Sequence, residues 1–215
     1  MEKVIIFDLD GTVIDTIYDI TDAMNLTLTE FGFKPITVEK MKSCVGGDSK
    51  EIIRQAMGCK VSDELLDKSV LFYTEKYVSN GSPKTKLFKG IDLVIGKLKK
   101  RGYKICALSN KPDHEIAPLA KTILAPLGFD MVVGVSEKVE PKPSTKGVDY
   151  ILSSLNGNRE LSYLVGDGET DIITAIKSSL NCIGVLWGNR SKEFLEKFGA
   201  KTFATTPNEL LELID

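Results

Sequence analysis

From about residue 88 onward, short apolar runs alternate with amphipathic segments, and this alternation limits the possible folds more than any other feature. The pattern predicts strands at 103–109, 131–134, 161–166 and 181–187, helices at 91–101, 144–155 and 171–179, a further helix after residue 110, and a last helix, strand and helix. Strands that alternate with helices are typical of a parallel sheet with helices on both faces. We therefore expect a doubly wound, Rossmann-like α/β core that binds ligands at the carboxyl ends of its strands.

The segment between about residues 15 and 85 contains no strand pattern and reads as helical throughout. Three helices are predicted there: one with apolar residues every three or four positions from Ile17 to Phe31, one over 50–57 capped by Asp48 or Ser49, and one that begins at Ser62 and ends at Asn80. The sequence thus predicts two domains, an α/β core made of 1–14 and 86–215 and a helical domain over 15–85 inserted after the first strand.

Composition argues against several classes of function. With 42% hydrophobic and 27% charged residues in 215, the chain has the make-up of an ordinary globular protein. A net charge of -2 gives no sign of a nucleic-acid or membrane-surface partner. No apolar run approaches the roughly 18 residues that span a bilayer, and the N-terminus leads directly into a strand without a secretion signal. We expect a cytoplasmic protein without a membrane or nucleic-acid partner, and the oligomeric state is left open.

Cysteine and histidine usage narrows the chemistry further. The four cysteines are scattered without a CxxC pair, which is typical of a reduced cytoplasmic protein. Cys106 and Cys182 lie inside apolar runs, where a cysteine usually behaves as a small buried hydrophobe. His114 is the single histidine of the sequence, which argues against a His/Cys zinc site and against histidine-based acid–base catalysis. Carboxylates must therefore carry the chemistry.

Two aspartates follow the first predicted strand, Val4–Phe7, in the stretch FDLDGT. Side chains on a strand repeat every two residues, so Asp8 and Asp10 would point to the same side at its carboxyl end. Two adjacent carboxylates repel each other unless a cation or a shared proton lies between them. Gly11 then permits a backbone turn that other residues resist. The alternative is a strand that simply ends in an acidic turn.

Polar residues also follow the predicted strand over 103–109. Ser109 and Asn110 offer a hydroxyl and backbone N–H groups that would suit an oxyanion, although an ordinary polar loop start fits them equally well. Lys142 lies between Pro141 and Pro143, so its backbone is stiff and its position fixed. The alternative for Lys142 is a solvated surface lysine.

A second acidic pair follows the predicted strand over 161–166, in the stretch GDGETD. Asp167 at the strand end and Asp171 in the first turn of the next helix can face one point, although Asp171 could serve only as a helix cap. Three or four clustered carboxylates need a hard cation, and oxygen-only ligands suit Mg²⁺. A lysine and a hydroxyl beside that cation would hold an anion. Together these residues describe a site for a phosphoryl group.

The four motifs, DLDGT at 8–12, Ser109-Asn110, Lys142 and GDGETD at 166–171, resemble those of the haloacid dehalogenase superfamily of phosphotransferases, and they occur in the same order. The resemblance covers essentially the whole chain, and the helical insertion is similar to the mobile cap of that superfamily. Within it, the chain looks most like phosphoglycolate phosphatases, through VGG at 45–47, VGDGETDI, GVLWG and TPNELLELI. The resemblance therefore implies a Rossmann-like core with a small all-helical cap domain.

The resemblance also implies a mechanism. Asp8 would attack phosphorus and form an aspartyl-phosphate, while Asp10 would protonate the leaving alcohol and later deprotonate the attacking water. Asp171 would position Lys142 or a magnesium-bound water. The remaining implied roles are phosphate binding by Ser109, the Asn110 backbone and Lys142, and Mg²⁺ binding by Asp8, the backbone carbonyl of Asp10 and Asp167. The partner would be a small phosphorylated metabolite.

Several other activities share part of this pattern. A pyrophosphatase, a nucleotidase and a sugar-phosphate phosphatase fit the core equally well. The similar phosphomutases carry a histidine early in the first cap helix, where this chain has Ile20. A dehalogenase does not need the second acid of the first motif, so the presence of Asp10 argues against that activity. A non-catalytic binding protein would be expected to lack a site residue, and none is missing here. A receiver-like signalling domain also phosphorylates an aspartate beside magnesium, but receivers are shorter and lack the helical insertion.

Selectivity among phosphate esters is expected to come from the helical domain, because the core recognises mainly the phosphoryl group. Gly46 and Gly47 would let the backbone approach a ligand closely, and Arg54 on the next helix would suit a substrate carboxylate. Lys50 lies one helical turn before Arg54, on the same face. The alternative is that both cations are solvated surface residues.

Overall fold

The structure is a computed structural model that describes residues 1–214, and the chain forms two compact units. One unit consists of Met1–Asp15 together with the chain from Leu87 onward, and the other consists of Thr16–Lys86. The sequence predicted each of the two boundaries between these units one residue earlier in the chain. The roles that it assigned to the two domains, core and cap, stay predictions.

The strands and helices of the described residues follow in chain order. The strands are β1 (Val4–Phe7), β2 (Ile14–Asp15), β3 (Lys86–Leu87), β4 (Lys104–Pro112), β5 (Met131–Val135), β6 (Tyr163–Gly166), β7 (Asn181–Val185) and β8 (Phe203–Ala204). The helices are α1 (Ile17–Glu30), α2 (Val38–Cys44), α3 (Ser49–Met57), α4 (Asp63–Ser79), α5 (Ile91–Lys100), α6 (Asp113–Leu119), α7 (Lys146–Leu155), α8 (Glu169–Lys177), α9 (Lys192–Glu196) and α10 (Leu210–Leu213). A π-helical turn at Ala120–Leu124 extends α6, and 3-10 turns lie at Ala125–Leu127 and Pro207–Glu209.

The larger unit is built on a six-stranded sheet with the order β5-β4-β1-β6-β7-β8. All neighbouring strands in it pair in parallel, so the predicted α/β class is confirmed. Strand β1 lies inside the sheet, between β4 and β6. Because parallel strands end at the same edge, the residues that follow these three strands come close together.

Alternation along β1 explains why helices cover both faces of the sheet. Ile5 and Phe7 pack into a core on one face, and Val4 and Ile6 pack into a second core on the other. All four side chains are fully buried. The first core contains the apolar residues of α5, and the second contains those of α7. A strand that is apolar on both sides can be buried only in this way, as the sequence predicted.

The smaller unit is helical, with α1–α4 packed around a core of its own. Fully buried Met24, Leu28, Met41 and Ile53 come from three of the helices. The predicted caps are confirmed, because the side chains of Asp48 and Ser62 accept hydrogen bonds from the backbone N–H groups three residues further on. Helix α2 was not predicted; it begins after Thr37, whose hydroxyl accepts from the Lys40 N–H at 3.2 Å.

Two boundaries in the larger unit differ from the predicted ones and affect the site. Strand β4 continues to Pro112, three residues past its predicted end, with a shift of register between Leu108 and Pro112. Helix α8 begins at Glu169 instead of residue 171, so Asp171 lies in its first turn.

No helix among residues 1–214 is long and apolar enough to cross a membrane.

Candidate active site

The predicted core residues meet at the carboxyl edge of the six-stranded sheet. Asp8 follows β1, Ser109 lies near the end of β4, and Asp167 follows β6. Lys142 comes from the chain between β5 and α7, and Asp171 comes from the first turn of α8. Residues distant in sequence therefore share one site within the larger unit.

Three buried carboxylates form the centre of this site. Asp8, Asp167 and Asp171 each offer an oxygen, and these oxygens lie within 4.8 Å of one another. Carboxylate oxygens without nitrogen or sulfur donors are the ligands of a hard divalent cation. The residues present therefore fit the predicted Mg²⁺ by their donor chemistry. Asp10, which was predicted to contribute its backbone carbonyl, is not part of this carboxylate group.

Lys142 provides the positive charge inside this cluster. Its ammonium Nζ donates to Asp8 Oδ1 at 2.7 Å, to Asp171 Oδ1 at 2.6 Å and to the Leu108 carbonyl at 2.9 Å. Burial alone would lower the pKa of Lys142, but the attraction of Asp171 and Asp8 outweighs it and raises that pKa. The lysine side chain is only 3% exposed, so the alternative of a solvated surface lysine is wrong.

Burial opposes the ionisation of the clustered carboxylates and raises the pKa of Asp8 and of Asp167. Burial raises the pKa of Asp8 well above its usual value, and the attraction of Lys142 only partly offsets this. Burial, together with repulsion from Asp171, raises the pKa of Asp167 to about 7. Three carboxylates and one ammonium leave two negative charges when all are ionised. A divalent cation would balance that excess.

Asn110 holds the Lys142 segment in place through its side chain. Its Oδ1 accepts from the Lys142 N–H at 2.7 Å, and its Nδ2 donates to the Lys142 carbonyl at 3.1 Å. This reciprocal pair fixes the backbone from which the buried lysine extends. The sequence predicted the Asn110 backbone as a phosphate ligand, and that role stays a prediction.

Asp10 lies in a different environment from Asp8. Lys111 Nζ contacts Asp10 Oδ1 at 2.7 Å, and Ser109 Oγ donates to Asp10 Oδ2 over a long 3.5 Å. The Lys111 N–H in turn donates to Ser109 Oγ at 3.1 Å. Lys111 was not among the predicted site residues, although it stands two positions after Ser109 and hence on the same side of an extended strand. The predicted role of Ser109 as a phosphate ligand stays a prediction.

Asp167 is held by residues that the sequence did not single out. Its Oδ2 accepts from the backbone N–H of Asn189 at 2.7 Å and from the Asn189 side chain at 3.1 Å. The Thr12 hydroxyl donates to the other oxygen at 3.3 Å. Gly11 and Gly188 make room for this carboxylate, because a Cβ at either position would overlap it. Only the neighbouring GVLWG stretch and the DLDGT motif hinted at these partners.

Asp171 combines the two roles that the sequence left as alternatives. Its Oδ2 accepts from the Gly168 N–H at 3.0 Å at the start of α8, which is a helix-capping bond. Its Oδ1 accepts a hydrogen bond from the Lys142 ammonium. Capping fixes the carboxylate, and the fixed carboxylate then orients the lysine.

The residues predicted to select the substrate lie in the smaller unit. Gly46 has φ 125, in the region that favours glycine, and Gly47 follows it just before α3. The Arg54 guanidinium pairs with Glu51 of its own helix, and Lys50 pairs with Asp67 of α4 at 2.6 Å. Both cations thus have acidic partners, and their predicted role toward a substrate stays a prediction.

Three carboxylates and a buried lysine at the carboxyl edge of a parallel sheet form a site that must accommodate several negative charges at once. Residues 5–185 match the sequence profile described as haloacid dehalogenase-like hydrolase. That range extends from β1 to the end of β7 and contains all four motifs. The chain belongs to the haloacid dehalogenase-like hydrolase family.

Individual relatives give a narrower likeness. The chain is 30% identical to a phosphoglycolate phosphatase of Aquifex aeolicus over 190 residues, which is 86% of this chain and 85% of that protein. It is 25% identical to a phosphoglycolate phosphatase of Colwellia psychrerythraea, over 98% of this chain and 96% of that one. A crystal structure of a proposed phosphoglycolate phosphatase from Lactobacillus delbrueckii subsp. bulgaricus matches with a TM-score of 0.93 and 28% identity, covering 100% of this chain and 99% of that one.

Proposed function

We propose that the chain is a magnesium-dependent phosphatase that hydrolyses a small phosphate monoester, with phosphoglycolate as the favoured substrate, through an aspartyl-phosphate on Asp8. One observation carries this proposal. The Lys142 ammonium is buried between Asp8 and Asp171 while Asp167 completes the carboxylate cluster, so a nucleophile, a fixed cation and a cation-binding group share one site. Such a site supports the approach of a second anion to a carboxylate.

The first half of the proposed reaction transfers the phosphoryl group to the enzyme. A carboxylate oxygen of Asp8 forms a bond to phosphorus, and the bond from phosphorus to the leaving oxygen breaks. The electron pair of that bond stays on the leaving oxygen, which takes the proton carried by the Asp10 carboxyl group and departs as an alcohol.

The second half returns Asp8 to its starting state. Water attacks phosphorus, its proton goes to the Asp10 carboxylate, and the bond from Asp8 to phosphorus breaks to release inorganic phosphate. Lys142, Ser109 and the Asn110 backbone stabilise the charge on the phosphoryl oxygens. Asp8, the backbone carbonyl of Asp10 and Asp167 would hold Mg²⁺, with Asp171 orienting Lys142. The metal, when bound, supplies positive charge that offsets the repulsion between nucleophile and phosphate.

The preference for phosphoglycolate rests on the similarity to proteins named phosphoglycolate phosphatases. Pyrophosphate, nucleotides and sugar phosphates are the competing substrates, because the core residues address only the phosphoryl group. We propose that Gly46, Gly47 and Arg54 of the helical unit supply the selectivity. An arginine fork suits a carboxylate, which is the group that distinguishes phosphoglycolate from a simple alkyl phosphate.

A panel of phosphate esters with and without Mg²⁺ tests the reaction class, with phosphate release as the readout. The Asp8→Asn variant should lose several orders of magnitude in kcat, because an amide cannot form the acyl-phosphate. Asp92→Asn, an exposed aspartate in the first turn of α5, is the matched control and should keep full activity. Turnover by Asp8→Asn above about a tenth of the wild-type rate would exclude Asp8 as the nucleophile.

The selectivity proposal needs two substrates. Gly47→Val and Arg54→Ala should raise KM for phosphoglycolate and change the hydrolysis of p-nitrophenyl phosphate far less. Lys68→Ala, which removes an exposed cation paired with Glu64 in the same unit, is the control. Equal losses of kcat/KM on both esters would mean that this segment affects stability instead of recognition.

A further inference from the structure

Strand β4 ends in an irregularity that none of its neighbours shares. Leu108 pairs with Val133 of β5 and Pro112 pairs with Val135, so four steps along β4 match two steps along β5. The stretch 109–111, which is two residues longer than the matching stretch of β5, contains Ser109 and Lys111, whose side chains both reach Asp10. Bulges commonly re-aim side chains beside active sites. Here two groups from the irregular stretch of one strand reach one carboxylate.

We propose that Lys111 is a positioning residue that holds the Asp10 carboxyl group in the orientation needed for proton transfer, an assignment that rests on the function proposed above. Lys111 Nζ holds one carboxylate oxygen at 2.7 Å, and Ser109 Oγ contacts the other. With both oxygens engaged, the carboxyl group cannot rotate freely about its bond to Cβ. Proton transfer depends steeply on such alignment.

Burial distinguishes this pair from an ordinary surface salt bridge. The Lys111 side chain is 10% exposed and that of Asp10 is 22% exposed. In contrast, Lys104 at the start of the same strand is 41% exposed, and its contact with Asp130, the residue before β5, is longer at 3.2 Å, so the two pairs differ in the burial of the lysine. A lysine that is largely withdrawn from water loses hydration and side-chain freedom, so its partner must hold it firmly. That makes the orientation of Asp10 well defined.

The consequence should depend on the leaving group of the substrate. An alkyl phosphate expels a strongly basic alkoxide oxygen, which needs the proton from Asp10, whereas p-nitrophenolate departs without one. The ratio kcat/KM reports the steps up to departure of the leaving group, so the later hydrolysis of the phosphoenzyme does not enter it. Loss of positioning should therefore appear in kcat/KM for alkyl phosphates and spare p-nitrophenyl phosphate.

The test compares Lys111→Met with wild type on phosphoglycolate, ethyl phosphate and p-nitrophenyl phosphate in Mg²⁺. Lys111→Met should lower kcat/KM about a hundredfold on both alkyl esters and at least about tenfold less on p-nitrophenyl phosphate. Lys111→Arg, whose guanidinium can also hold a carboxylate, should recover most of the loss. Lys104→Met, which breaks the exposed pair on the same strand, should leave all three values unchanged.

Three results would overturn the assignment. An equal fall on all three esters would mean that Lys111 acts on the phosphoryl group or on folding, which the thermal midpoint of the variant separates. A fall on phosphoglycolate alone would mean that Lys111 binds the substrate carboxylate. Failure of Lys111→Arg to recover activity would exclude positioning by a simple ion pair. Absence of hydrolysis by the wild-type enzyme on every ester is a separate result, since it refutes the proposed function itself.

Discussion

Removal of the buried Lys142 charge should destabilise the protein strongly when no metal is bound. In Lys142→Met, Asp8 and Asp171 lose the ammonium that contacts them at 2.7 and 2.6 Å. Breaking a buried pair by removing one partner costs about 3–5 kcal/mol, because an uncompensated charge stays buried. That is a large part of the roughly 5–15 kcal/mol by which folded proteins are stable. For a chain of this length it corresponds to a fall in Tm of roughly 6–20 °C.

Thermal and urea unfolding in EDTA at pH 8 measure this loss. Adding Asp8→Asn and Asp171→Asn to Lys142→Met should recover much of it, because removal of all the partners together leaves fewer unpaired charges. Lys104→Met is the surface control and should change stability by less than about 1 kcal/mol. The reasoning is refuted if Lys142→Met unfolds within about 1 kcal/mol of wild type in EDTA, or if the triple variant is less stable than the single one.

Three further predictions follow from the same geometry. Mg²⁺ at about a hundred times the wild-type Kd should stabilise the EDTA-treated wild-type protein by about 2.7 kcal/mol in thermal unfolding. The Asp167→Asn variant should gain less at the same Mg²⁺ concentration, and an equal gain would exclude Asp167 from the metal site. Gly11→Ala should lower both Tm and kcat, since φ is +92 there and a Cβ would overlap the Asp167 carboxylate, whereas Gly96→Ala in α5, with open space around it, should not. Burial raises the thiol pKa of Cys106 and Cys182 to about 12, so both thiols should stay protonated at pH 8 and resist iodoacetamide. Exposed Cys59 should react under the same conditions, and alkylation of Cys106 in the native protein, detected by mass mapping, would contradict this.

The sequence predicted the fold where local pattern and tertiary packing agree. Val4–Phe7 is apolar on both faces and could be buried only inside a sheet covered on both sides. Helix α2 was missed because its seven residues are mostly polar, with apolar side chains only at every third position, Val38, Met41 and Cys44. The end of β4 was missed because SNKP resembles a loop, and only pairing with β5 keeps it extended.

The sequence predicted the proximity of residues that follow neighbouring strands, and it did not predict the residues that only tertiary contacts bring to them. Asp8 and Asp167 follow adjacent parallel strands, so their proximity follows from the alternating pattern. Asn189 reaches Asp167 across 22 residues, and Lys111 reaches Asp10 across 101, through contacts that no local pattern encodes. The two-residue spacing between Ser109 and Lys111 becomes informative only once β4 is known to continue past residue 109, and the pairing with β5 decides that.

The different partners of Asp8 and Asp10 explain how two adjacent aspartates can do different work. The sequence suggested that one cation or proton must lie between them, but each carboxylate has a lysine of its own. Asp8 pairs with Lys142 inside the buried carboxylate cluster, whereas Asp10 pairs with Lys111 at a more exposed position. In the proposed mechanism, the carboxylate inside the metal-binding cluster attacks phosphorus and the one outside it exchanges protons. The proposed division of roles therefore depends on the two lysines and on where β4 and the Lys142 segment place them.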